Sequence, residues 1–240
     1  MPKASFSTIR SQEHDCSYLA DRKATTTFVH PQQTLTPSIY SSLLRKGFRR
    51  SGTHLYLPSC KSCEQCVSVR LASGDFTPNR AQRRTIAKNK DISVSIGTPM
   101  FDSEHIYLLR SYLNNRHSCS NEGPDTLDSY KEFLIANWCD TISLDFRLQT
   151  KLVGVAIIDV LADGLSAIYN FYSPTYKERS LGRFAILKTI ELAQKEELDW
   201  VYLGYWIQNS KKMQYKSEYR PQEYFVKGQW TWSQPIFKKQ

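Results

Sequence analysis

Residues 145–172, DFRLQTKLVGVAIIDVLADGLSAIYNFY, decide the fold class. Three β-rich runs, 145–149, 152–161 and 165–172, are joined by Thr150-Lys151 and by Ala162-Asp163-Gly164, the spacing of an antiparallel meander. Downstream the period changes. Over residues 181–198, Phe184, Ile186, Leu187, Ile190 and Leu192 make the broad apolar stripe of a core-facing helix, with Ser180 placed to cap it. Residues 200–206 read as a strand, 209–219 as a basic helix ending before Pro221, and 222–232 as a last extended segment. Meander, long helix, strand, helix and strand predict an α+β fold.

Upstream of the meander, residues 103–116 and 126–138 read as amphipathic helices separated by the polar loop 118–124. The break at Gly97-Thr98-Pro99 suggests two domains, 1–97 and 98–240. In the smaller N-terminal α/β part, residues 38–50 form a short helix with Ile39, Leu43 and Leu44 on one side and Gly47 stopping it. Residues 53–57 and 67–71 look extended on either side of a cysteine-rich loop. A basic helix follows from Pro78, and its Arg80, Arg83 and Arg84 fall on one face, where guanidinium groups can grip phosphates. There is no internal repeat.

The formal charge of the 240-residue chain is +9, and 40% apolar residues with 12% aromatics supply a sizeable core. Ten Gly and ten Pro exclude collagen-like and low-complexity chains. No stretch has the roughly 18 uncharged apolar residues of a membrane span, and residues 1–16 carry no apolar signal-peptide core, so a soluble cytoplasmic protein is expected. Residues 1–90 hold 15 Lys and Arg against 5 Asp and Glu, while the remaining 150 hold 17 against 18. The whole excess therefore lies in the first third. It fits either a polyanion contacted by the N-terminal region or a solvated basic surface.

Cys60-Lys61-Ser62-Cys63-Glu64-Gln65-Cys66 presents three thiols at two-residue gaps, and Cys16 is a possible fourth ligand. Four thiolates suit zinc or an iron-sulfur cluster; the alternative is a set of reduced thiols in a tight loop. Cys119 and Cys139 have no such company. No organic cofactor is expected.

Several motifs occur in order: His14-Asp15-Cys16-Ser17-Tyr18-Leu19, Gly47-Phe48-Arg49-Arg50-Ser51-Gly52, the triple-cysteine loop, Arg80-Ala81-Gln82-Arg83-Arg84, Arg179-Ser180-Leu181-Gly182, Tyr202-Leu203-Gly204-Tyr205-Trp206-Ile207 and Met213-Gln214-Tyr215-Lys216. Together they resemble the bacterial aspartate/glutamate leucyltransferases, short relatives of the eukaryotic arginyl-tRNA-protein transferases, over residues 14–225. Ala20, Ser68 and Ala81 depart from the usual Pro, Pro and Ser of that pattern and leave the thiols and guanidiniums in place. The resemblance implies an acetyltransferase-like (GNAT-type) C-terminal domain, in which two splayed strands border a groove where acyl donor meets amine. It implies leucine transfer from leucyl-tRNA to the α-amine of proteins beginning with Asp or Glu, which feeds the N-end rule degradation pathway, with no membrane or DNA partner. In eukaryotic relatives the cysteine region holds an iron-sulfur cluster.

On this expectation Asn170 and Tyr172 on the third meander strand, with Tyr205, serve the reaction. Arg116 with His117, or Arg179, is placed to meet the acidic side chain of the acceptor. Ser180 and Gly182 open the long helix toward an anion, Gly204 lets substrate backbone approach, and Tyr215 and Lys216 meet the tRNA end. Arg49, Arg50, Arg80, Arg83 and Arg84 hold the tRNA body. Two other readings remain: arginine as donor in the same fold, and a non-catalytic, metal-stabilised RNA-binding protein.

Overall fold

The computed structural model describes residues 6–116 and 127–237. The chain begins with β1 (Thr8–Arg10), the short ribbon β2 (His14–Asp15) and β3 (Lys23–Ala24), and β4 (Thr26–Val29). Helix α1 (Pro37–Arg45) starts on Thr36, whose hydroxyl accepts from the Ile39 N–H, and leads into the hairpin of β5 (Arg49–Ser51) and β6 (His54–Pro58). Next come β7 (Val67–Ala72), α2 (Arg80–Lys88), β8 (Ile92–Gly97), α3 (Ser103–Arg116) and α4 (Leu127–Leu134). The meander follows as β9 (Asp140–Leu148), β10 (Lys151–Leu161) and β11 (Gly164–Tyr172), then α5 (Leu181–Lys195), β12 (Trp200–Trp206), β13 (Gln222–Val226) and β14 (Gln229–Thr231).

The eight-stranded sheet runs β14-β13-β7-β12-β11-β10-β9-β8, and β1, β4, β6 and β5 form a second sheet. Strand β10 is buried on both faces, so its near-continuous apolar run carries two cores. Val153, Ala156 and Ile158 join Phe184, Leu187 and Ile190 of α5, while Leu152, Val155 and Ile157 join Leu108, Leu109 and Tyr112 of α3. A third cluster, Tyr40, Leu43, Leu44, Phe48 and Leu55 with Leu161 and Tyr202, fastens the N-terminal sheet to the large one.

The pairing of β11 with β12 positions the site. The two run parallel and are bonded only at Gly164↔Trp200, Leu165↔Val201 and Ser166↔Tyr202. Beyond Ser166 and Tyr202 they share no pairs, and β12 is held on its other side by antiparallel β7. The register with β7 shifts between Tyr202 and Gly204, where Gly204 takes φ +84, a left-handed conformation natural to glycine.

The large sheet takes strands from both sides of the 97/98 break: β7 and β8, within residues 1–97, are hydrogen-bonded to strands that follow it. Two expectations need correction. Residues 209–219 do not form an α-helix but turns and a 3₁₀ segment, Gln214–Glu218. In a three-residue turn positions i and i+3 eclipse, which brings Lys216 and Tyr219, both buried, to one side. The final extended segment is a hairpin reversing at Lys227 (φ 49) and Gly228 (φ 83), the left-handed pair that suits the twist of its strands. No helix among the described residues is long and apolar enough to cross a membrane.

Candidate active site

Where β11 and β12 part, a cavity of about 1130 Å³ opens. Tyr169, Asn170 and Tyr172 line it from β11, Leu203, Gly204 and Tyr205 from β12, and residues 180–183 from the start of α5. The end of α3 contributes Tyr112 and Asn115, and the N-terminal region contributes Ser17, Tyr18, Arg49 and Tyr56.

Asn170 brings a buried Oδ1 that has no hydrogen-bond partner among the described residues, an unsatisfied acceptor beside the cavity. Tyr172 stacks edge-on against Tyr112, with ring centroids 5.0 Å apart. A Cβ at position 182 would lie 2.8 Å from Tyr172 Cε1, so only glycine lets the helix start press against that ring. Ser180 sits in the left-handed region, φ 54, and makes no side-chain cap bond; the expected cap is absent, and the amide end of α5 opens toward the cavity.

The Tyr205 hydroxyl lies 3.0 Å from the Gly47 carbonyl and 3.1 Å from that of Tyr56, to which it donates, and burial drives its pKa well above the usual value. It braces the wall of the cavity. Lys216 is buried, not presented on a helix surface: its Nζ donates to the Tyr205 carbonyl at 2.8 Å. Burial, then the Arg49 charge, pulls its pKa down to about 7. Tyr215 lies exposed at the rim.

Arg49 and Arg50 are not surface groups for a tRNA body. Both are buried because β5 is covered by the third core cluster. Arg49 donates from Nη1 to Phe48 O at 2.7 Å and from Nη2 to Val69 O at 3.3 Å, with the rings of Tyr202 and Tyr205 at 5.5 and 5.9 Å. Its Nε has no partner among the described residues. Arg50 is committed to Asp159. Arg179 grips Asp91 through two nitrogens at 2.7 and 3.0 Å and does not line the cavity, so its fork is taken. Arg116 ends α3, and His117 lies outside the described residues, as does Cys119. Arg80, Arg83 and Arg84 are exposed on α2 and form no part of the cavity lining.

The four thiols share one region. Burial, then the neighbouring Cys16, Cys63 and Cys60, pushes the Cys66 thiol up to about 12. Yet no group of three or more His, Cys, Asp or Glu side chains among the described residues is arranged to hold a metal ion. The donor chemistry of four thiols suits zinc or an iron-sulfur cluster. Cys139 is a partly buried thiol, pushed up to about 11 by burial.

Sequence reasoning missed Tyr18, Tyr56, Lys177, Lys211 and Lys212 among the cavity residues. The doublet Lys211-Lys212 and the motif around Tyr18 were visible signals; nothing in the local pattern marked Tyr112 or Asn115.

Diverging parallel strands, cationic side chains and an uncapped helix start thus meet at one cavity. The chain belongs to the arginine-tRNA-protein transferase family: the model of that family's N terminus matches residues 14–84, and that of its C terminus matches residues 104–226. Among curated relatives, the aspartate/glutamate leucyltransferase of Saccharophagus degradans is 45% identical over 218 residues, covering 90% of this chain and 92% of that one. The aspartate/glutamate leucyltransferase of Pseudomonas aeruginosa (strain LESB58) is 44% identical over 221 residues, covering 92% and 94%. A looser likeness links the chain to the crystal structure of FemX: 7% identity, TM-score 0.48, 87% of this chain and 81% of that one.

Proposed function

We propose that the chain is a cytoplasmic aminoacyltransferase that moves leucine from leucyl-tRNA to the α-amine of proteins beginning with Asp or Glu. The observation that carries this is the 45% identity to an aspartate/glutamate leucyltransferase across nine-tenths of both chains. The divergence of β11 from β12 supports a GNAT-type arrangement in which donor and acceptor enter the cleft from opposite sides.

The reaction is aminolysis of an activated ester. The amine nitrogen attacks the leucyl carbonyl carbon, a C–N bond forms, the C–O bond to the terminal ribose breaks, and the ribose hydroxyl leaves with a proton. About a tenth of an α-amine is free base at pH 7. Holding that amine against the ester therefore supplies much of the acceleration without a covalent enzyme intermediate. Asn170, with its open Oδ1, is suited to accept from the incoming amine. Lys177, Lys211 and Lys212, exposed at the rim, and the Arg80/Arg83/Arg84 face are suited to tRNA phosphates.

Because the matching family models are named for arginine transfer, arginine is the second donor to test. Transfer from leucyl-tRNA and from arginyl-tRNA to peptides beginning with Asp or Ala decides it. Leucine on the Asp peptide alone is expected; transfer of neither amino acid would reject the enzyme reading.

A further inference from the structure

Three buried cations, Arg49, Arg50 and Lys216, line the cavity, and Asp159 pairs only Arg50; no carboxylate among the described residues lines the cavity. Arg49 and Lys216 both line it, are 5% and 7% exposed, and neither meets a carboxylate among the described residues. Arg49 commits two nitrogens to backbone carbonyls and leaves Nε without a partner; Lys216 commits one N–H to the Tyr205 carbonyl and keeps two donors. Burying two like charges side by side is unfavourable unless something brings the opposite charge.

We propose that Arg49 and Lys216 form the subsite that receives the side-chain carboxylate of the acceptor's first residue, and so set its preference for Asp or Glu. This rests on the leucine-transfer reading. The three open N–H groups match the lone pairs of one carboxylate. The surroundings favour a slim side chain over a nucleotide phosphate: the cations are buried among Tyr56 and Tyr205, whereas exposed Lys211 and Lys212 stand at the rim for an RNA backbone. Arg179, the sequence-based candidate for this task, is already held by Asp91.

The test uses the full chain and two peptides differing only in a first residue of Asp or Asn. With saturating leucyl-tRNA, Lys216→Met is expected to lower kcat/KM for the Asp peptide roughly 10- to 100-fold, mainly through KM, and to leave the Asn peptide unaffected. Arg49→Lys should compress the same ratio, and leucyl-tRNA affinity should hold in both variants. Equal losses on both peptides would mean a structural role, and weaker leucyl-tRNA binding with the Asp/Asn ratio intact would mean a phosphate site; either overturns the proposal. Calorimetric binding of the two peptides without tRNA keeps this separate from the leucine reading. The wild type should bind the Asp peptide more tightly and Lys216→Met should erase the difference, even if no leucine moves. Equal binding of both peptides by the wild type would also overturn it.

Discussion

Arg50 and Asp159 meet face to face with both side chains sealed from solvent: Nε lies 2.5 Å from Oδ2, and Nη2 lies 2.5 Å from Oδ1. Tyr40 and Thr141 donate to the same carboxylate, and Arg50 also reaches the carbonyls of Gly52 and Leu134. Arg50 and Asp159 together thus tie α1, β5, β9, β10 and the end of α4. Removing one partner strands the other: Asp159→Asn is expected to cost about 3–5 kcal/mol in urea unfolding. The double replacement Arg50→Met/Asp159→Leu should cost less than either single change, because no buried charge remains.

Gly182→Ala should separate activity from stability. The new methyl collides with the Tyr172 ring and must displace it from Tyr112. Leucine transfer is expected to fall about tenfold, as catalytic geometry tolerates little displacement. Stability should change by less than about 1 kcal/mol, since alanine is the better helix former. Rate and melting measurements on one preparation check both.

His105 gives the stability a pH dependence. Its ring bridges Asp102, at 2.8 Å, and Asp145, at 2.9 Å, clamping the start of α3 to β9. Burial opposes its charge, but the hydrogen bonds to Asp145 and then Asp102 outweigh it, and the pKa is raised. The folded state therefore binds the proton more tightly than the unfolded one. The stabilisation is complete below about pH 6.5, the unfolded value, and is lost as pH rises through the higher folded value. His105→Asn should remove that decline, and its cost should be largest at the acid end of a denaturation series.

Arg83 and Arg84 provide a test of the electrostatic face. Both are exposed on α2, although Arg83 Nη1 also donates to the Pro78 carbonyl at 2.6 Å. Reversing both charges should weaken tRNA binding and flatten its dependence on salt by about two in the log–log slope. An unchanged slope would place the RNA elsewhere.

Thiol chemistry should be uneven. Cys66, pushed up to about 12, has little thiolate at pH 8 and should be alkylated by iodoacetamide more slowly than free cysteine, as mass spectrometry of timed samples would report.

The meander, α5 and β12 were legible because period-two and period-3.6 patterns are local properties of the chain. The membership of β7 in the large sheet was not, since its partners Trp200–Trp206 and Gln222–Val226 lie more than a hundred residues away. Charge counting placed the basic excess correctly but treated Arg49 and Arg50 as exposed; only the packing of Phe48 and Leu55 against Leu161 and Tyr202 puts them inside. Lys216 misled for the same reason, because a lysine in a polar run reads as surface until a 3₁₀ turn pulls it inward. Asn170, Tyr172, Gly182 and Gly204 do come together at the cavity, whereas Arg179 is drawn away to Asp91.

The place of β7 between β12 and β13 also bears on how the protein is made. When the ribosome has delivered residues 67–72, both of their neighbours, Trp200–Trp206 and Gln222–Val226, are still unsynthesised. The central sheet is therefore completed only once Gln222–Val226 has emerged, and closing so distant a pairing is slow. Neither half of the chain expressed by itself should acquire a cooperative melting transition, while the two halves mixed should restore one.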